Sequence, residues 1–183
     1  MHASIVRTMC HSFPTAMIGA WLAFGFPATA SANVITDWDE KATAAVAPLA
    51  GLGGTMPYMA QRFMAMAHVA MFDAVNSIDR RYKPYLVQLP ADAGTSKEAA
   101  AAAAAATVLA TIDAKTATDV KAALASYLAS IPDGKAKSDG IKLGESVAAK
   151  VLEARANDGS NAPDAYRPRT SPGVYVPTAI TIN

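Results

Sequence analysis

Eight consecutive alanines, Ala99 to Ala106, constrain the fold of this chain more than any other stretch. Alanine loses no side-chain entropy on entering a helix, so the run is strongly helical. It also has little bulk, so neighbouring elements can approach it closely. Thr95-Ser96-Lys97-Glu98, directly before it, has the pattern of a capping box in which Thr95 and Glu98 satisfy each other's exposed amides. Thr107-Val108-Leu109 carries the helix on.

The segments on either side also read as helices. Thr36, followed three residues later by Asp39, predicts a helix start, with Asp37, Asp39 and Glu40 near the positive end of the dipole. That helix runs to about Val46 and stops at Pro48. A Gly-rich connector, Gly51 to Gly54, leads to Pro57, a residue tolerated in a first helical turn. The next helix, about Pro57 to Ile78, is the best defined. Gln61, Arg62, His68, Asp73 and Asn76 fall on one side of it, and Met59, Phe63, Met66, Ala67, Ala70, Met71 and Ala74 spread over most of the rest. So narrow a polar stripe predicts burial on several sides. It reads as the central helix of a bundle in which the other helices are few for covering it. Arg80, Arg81 and Lys83, before Pro84, end it with cations at its negative pole.

A further helix is expected from about Thr118 to Ile131, with Val120, Leu124, Tyr127 and Leu128 on its apolar side. Pro132-Asp133-Gly134 turns the chain. A last helix, about Lys137 to Ala156, turns Ile141, Leu143, Val147, Val151 and Leu152 inward and is closed by Asn157-Asp158-Gly159. Beyond it, Pro163, Pro168, Pro172 and Pro177 exclude helix. Tyr166, Val174, Tyr175, Val176 and Ile180 make this tail more apolar than a solvated linker needs. The expected class is all-α: a helical bundle of about five helices followed by a Pro-rich extended tail, an incomplete domain. The divisions are residues 1–32, a signal peptide; 33–158, the helical domain; and 159–183, the Pro-rich segment leading toward a catalytic domain absent from this chain.

The signal peptide rests on a tripartite pattern. Arg7 is the one certain cation and no acid occurs before residue 33; an apolar run, Ala16 to Phe26, and the small residues Ala28-Thr29-Ala30-Ser31-Ala32 follow. The run is well short of the roughly 20 residues that a bilayer span requires. Cleavage is expected after Ala32, placing the mature chain in the periplasm or outside the cell. Cys10, the single cysteine, leaves with the peptide, so the mature chain holds together by packing alone. Removing Arg7 takes the formal charge from +1 to zero. Neutrality argues against nucleic acid and against an anionic membrane as partners.

Four stretches of the mature chain carry a family likeness: VITDWDEKA near Val34, RFMAMAHVAMFDAVNSIDRRYKPY from Arg62, GIKLGESVAAKVLEARANDGS from Gly140, and YRPRTSPGVYVPT from Tyr166. In order and spacing they resemble the N-terminal helical part of bacterial vanadium-dependent haloperoxidases, relatives of the type 2 phosphatidic acid phosphatases. The second stretch is the most specific. The resemblance implies an all-helical fold and, in the intact enzyme, vanadate held by lysine, arginine, serine, glycine and histidine residues. Those motifs belong to the later part of the family's sequence and have no counterpart here, so no catalytic, cofactor-binding or metal residue is carried over. It further implies a scaffold that packs beneath the site, with the missing catalytic half or a partner chain as its partner, and a homodimer contact.

The residues themselves support a scaffold. An oxyanion such as vanadate needs converging cations and amide donors with an apical histidine nitrogen, and phosphatase chemistry needs a nucleophile and a general acid. Beyond residue 32 the only histidine is His68. Asp73, five residues on, lies about 140° around the helix from it. His68 therefore reads as a hydrogen-bonded packing residue and not a ligand, and Arg80, Arg81 and Lys83 as a cationic helix end. Met56, Met59, Met64, Met66 and Met71 read as core filling and not as a copper site. Gly51-Leu52-Gly53-Gly54 is too short for a phosphate loop. Ser171 has no histidine near it in sequence, and Asp133-x-Lys135 and Asn157-Asp158-Gly159 lack the bidentate acid of a calcium loop. The expected function is the N-terminal scaffold of a secreted haloperoxidase-like or acid phosphatase-like enzyme, inactive alone. The alternative is a free-standing periplasmic helical interaction or structural module.

Overall fold

The computed structural model describes residues 33–50, 57–163, 167 and 171–175. It is an all-α bundle of five helices: α1 Val34–Ala50, α2 Pro57–Asp79, α3 Lys97–Leu109, α4 Ala114–Ala129 and α5 Lys135–Arg155. No strand occurs among the described residues, and no helix among them is long and apolar enough to cross a membrane. The Gly51–Gly54 connector and most of the Pro-rich tail lie outside the described residues.

The alanine helix is the axis of the bundle. α3 packs against each of the other four helices, whereas α2 meets only α1, α3 and α5. All of Ala99–Ala106 are buried, as are Val108 and Leu109. The expectation that α2 would be central is thereby corrected. A helix without bulk on any side has no face that must be kept clear, so four neighbours can close around it. α2 buries 11 of its residues and keeps a solvent stripe through Tyr58, Gln61, Ala65 and Phe72.

The closest crossing is between α3 and α5. A Cβ added at Gly144 would stand 2.2 Å from the Ala100 carbonyl oxygen and 3.0 Å from the Ala103 Cβ. One added at Gly140 would stand 2.5 Å from the Ser96 carbonyl oxygen and 3.0 Å from the Ala99 Cβ. Spaced four residues apart, the two glycines share one face of α5 and lie directly on the alanine surface. Leu143, Val147 and Val151 then flank the crossing and fill the core.

Helix starts moved for identifiable reasons. α1 is capped by Asn33, not Thr36: Asn33 Oδ1 accepts from the Ile35 and Thr36 amides at 2.9 and 3.2 Å, and Thr36 Oγ1 accepts from the Asn33 amide at 3.0 Å. This is a capping box begun three residues early. At its other end α1 continues through Pro48 to Ala50; the carbonyl that Pro48 leaves without an amide is that of Ala44, on the exposed side, where water can serve it. α3 is capped by Ser96 and not Thr95, with Ser96 Oγ accepting from the Ala99 amide at 3.1 Å. The Thr95 amide, which Glu98 would have served, is already donated to the Asp92 carbonyl oxygen at 3.0 Å, and Glu98 instead accepts from Ser96 Oγ at 3.2 Å. α4 begins at Ala114, capped by Asp113, and α5 at Lys135, after Gly134 with φ +151°.

Trp38 of α1 closes one end of the core. It is fully buried and meets Tyr127 of α4 edge to face, with centroids 6.4 Å apart. Its indole N–H has no acceptor among the described residues, a cost of about 1–3 kcal/mol that the buried ring offsets. α4 is the lightest element, with only Thr116 and Val120 buried.

Gly144→Ala is expected to lower stability by about 1–3 kcal/mol, the overpacking cost outweighing alanine's better helix propensity. Gly94→Ala, where an added Cβ meets nothing within 4 Å, is expected to stay at or above wild type by up to about 1 kcal/mol. Urea denaturation of the two variants checks the pair.

Candidate functional site

The stretch that carries the family likeness builds one continuous feature. α2 ends at Asp79, and Arg80, with φ +51°, turns the chain into an irregular strap, residues 80–96, that runs back along the bundle. Such a segment has amides with no helical partner, and each must find an acceptor. Asp73 takes three: its Oδ1 accepts from the Tyr85 amide at 2.8 Å, and its Oδ2 from those of Leu86 and Val87 at 2.8 and 2.9 Å. Asn76 grips Tyr82 from both sides, donating from Nδ2 to its carbonyl at 2.8 Å and accepting from its amide at 2.9 Å. Ser77 Oγ accepts from the Leu89 amide at 3.1 Å. These three residues share one face of α2, and all are buried.

That finding corrects the polar stripe. Asp73 and Asn76 do not face solvent with Gln61 and His68; they form a buried clamp under the strap. In turn the clamp sets out an aromatic surface. Tyr82 and Tyr85 are about two-thirds exposed (66% and 64%), and Phe72 and Leu86 are 40% and 41% exposed. Phe72 and Tyr82 lie with ring centroids 6.2 Å apart, beside an apolar cavity of about 140 Å³ lined by Met71, Phe72, Val75 and Tyr82 among others. Phe72 belongs to the α2 stripe that reaches solvent, and helical periodicity already places it beside Gln61 and His68.

The remaining candidates resolve singly. His68 Nε2 lies 2.9 Å from Asp39 Oδ1, joining α2 to α1 as a half-exposed hydrogen-bonded pair. Among the described residues no three histidine, cysteine, aspartate or glutamate side chains group as metal ligands. Met66 and Met71 are core residues, Met59 and Met64 pack against the core, and Met56 lies outside the described residues. Arg80, Arg81 and Lys83 are exposed at the helix end. Asp133 pairs with Lys137 at 2.8 Å. Ser171 opens a tight turn in which its carbonyl accepts from the Val174 amide at 3.2 Å and Gly173 has φ +82°. Pro172 and Gly173 are the residues such a turn requires.

Arg62 closes a second junction. Its Nε donates to Asp158 Oδ2 at 2.9 Å and its Nη2 to the Arg155 carbonyl at 2.8 Å, fastening α2 to the end of α5. The Arg62 hydrogen bond, followed by those from Ser160, lowers the Asp158 pKa to about 2 from an ordinary 3.8.

No family model matches the chain, and no curated protein and no solved structure shows significant similarity to it.

Asp73→Asn replaces an acceptor oxygen with an amide donor facing strap N–H groups. It is expected to destabilise the fold by about 2–3 kcal/mol and to open the strap to trypsin at Arg80 and Arg81, as read by urea melts and limited proteolysis. The Asp158 carboxylate, with its folded pKa below its unfolded value, adds stability at pH above about 3.8 that is lost as the pH falls toward about 2. The gap in melting temperature between wild type and Asp158→Asn should therefore be full at pH 5 and shrink steadily below pH 4.

Proposed function

We propose that this chain is the N-terminal helical scaffold of a vanadium-dependent haloperoxidase-like or acid phosphatase-like enzyme, exported to the periplasm or beyond, whose vanadate- or phosphate-binding half lies outside residues 1–183. Its role is to support that half through packing. The observation that carries this reading is the clamped aromatic surface. Two buried polar side chains, Asp73 and Asn76, from the stretch with the most specific family likeness, hold the backbone of Tyr82, Tyr85 and Leu86 so that their side chains reach solvent, Tyr82 against Phe72. A fixed apolar surface is the property of a packing face, since solvent alone gives no reason to order it. His68, the only histidine beyond residue 32, is bonded to Asp39 of α1 and so ties two helices of the bundle together.

The five helices also enclose a core of their own, from Trp38 through Val151. That observation favours the second reading, a free-standing helical interaction or structural module.

The length of the natural product separates the two. Reading the gene past the codon for Asn183 and weighing the exported protein should, on the scaffold reading, reveal a continuation containing further histidines and arginines, and the full product should oxidise bromide with peroxide or hydrolyse a phosphomonoester once vanadate or substrate is added. An exported protein whose mass matches residues 33–183 alone would overturn the scaffold reading and leave the module.

A further inference from the structure

A second feature of the strap lies away from the aromatic surface. Between its Leu89–Asp92 segment and the first turns of α5 runs an open groove of about 690 Å³, with Leu89 and Leu143 along its apolar part. Its charged lining is Arg80, Lys135 and Lys142 against Asp92 and Asp139. Lys135 engages both acids, bonding to Asp139 and approaching Asp92 to 3.6 Å. Arg80 and Lys142 are left without an acidic partner among the described residues.

We propose that this groove binds a small organic carboxylate, with the carboxylate held between Arg80 and Lys142 and an apolar body lying over Leu89 and Leu143. Three cations against two acids leave the lining one positive charge in excess, which a monoanion neutralises. The planar guanidinium fork of Arg80 matches a carboxylate with two parallel N–H···O bonds, and Lys142 adds a point charge. A volume of this size suits a ligand of small-molecule dimensions. Arg80 has φ +51° directly after the last residue of α2, the left-handed close with which many helices end, so glycine is accommodated at this position without cost. The inference rests on the groove alone and is independent of the scaffold reading.

Titration of the full chain with benzoate, benzamide and phenyl phosphate, followed by amide NMR shifts, tests it. Benzoate is expected to give saturable shifts at Arg80, Leu89, Lys142 and Leu143, and benzamide none. Arg80→Gln and Lys142→Gln should each weaken benzoate about tenfold or more, the loss of one charge-assisted contact. Arg80→Gly, which relieves the left-handed backbone, serves as the folding control: it should melt no lower than wild type and still lose benzoate. Non-saturating benzoate shifts, equal shifts with benzamide, or unchanged binding in the glutamine variants would overturn the site. Saturation by phenyl phosphate at lower concentration than benzoate would overturn the carboxylate assignment.

Discussion

The close crossing of α3 and α5 is the constraint on which the remaining structure depends. With a Cβ on Gly144 the two backbones could not stand where they do, since that atom would lie 2.2 Å from a carbonyl oxygen. Dense contact between two thin helices recovers dispersion energy that larger side chains would otherwise supply. It also lets α3 lie inside the bundle with all eight alanines buried. α1, α2 and α4 then bring the bulk that α3 lacks, in Trp38, Val46, Phe63, Met66, Met71 and Val120. The bond from the Ser96 amide to Ala136 O joins the starts of the same two helices and so sets where α3 begins.

From this axis the arrangement passes to α2 and the strap. α2 leans on α3 with its alanine and methionine face, which turns Asp73, Asn76 and Ser77 toward the segment that follows the helix. An irregular strap against a bundle would leave amides without partners; five of its amides, those of Tyr82, Tyr85, Leu86, Val87 and Leu89, go to these three side chains. The same clamp has two outward consequences. One side of the strap presents Tyr82 and Tyr85, with Tyr82 against Phe72 of α2, and its far end forms the wall of the groove against α5. An exposed aromatic surface and a charged groove are thus positioned by one set of buried hydrogen bonds.

Much of the fold was legible in local pattern. The alanine run, the Pro57 start, the Pro132–Gly134 turn and the Asn157–Gly159 close all mark where helices begin and end through backbone chemistry that neighbours do not alter. The caps were legible only approximately, because several residues within reach can cap a helix and tertiary bonds choose among them: Asn33 over Thr36, Ser96 over Thr95, Asp113 ahead of Thr118. The spacing of Gly140 and Gly144 was visible in the sequence as two glycines on one helix face, yet its meaning needed the partner surface. Asp73 and Asn76 were placed on the polar side of α2 by periodicity, which treats a buried hydrogen-bonded carboxylate and a solvated one alike. The aromatic surface was missed for a related reason: Phe72 sits on the polar side of its own helix, and Tyr82 and Tyr85 belong to a segment without period.

By itself, then, the sequence determined that this chain is helical, roughly where its five helices lie, and that beyond residue 32 it holds together without cysteine. Those properties follow from propensity, proline and glycine stereochemistry and composition, which act over a few residues at a time. Only the tertiary structure decided that the alanine helix and not the methionine helix is the axis, that Asp73, Asn76 and Ser77 clamp the strap, and that Arg80 and Lys142 face one groove. Each of these is a relation between residues distant in the chain, set by which surfaces can approach closely enough to exclude water and satisfy buried donors at the same time.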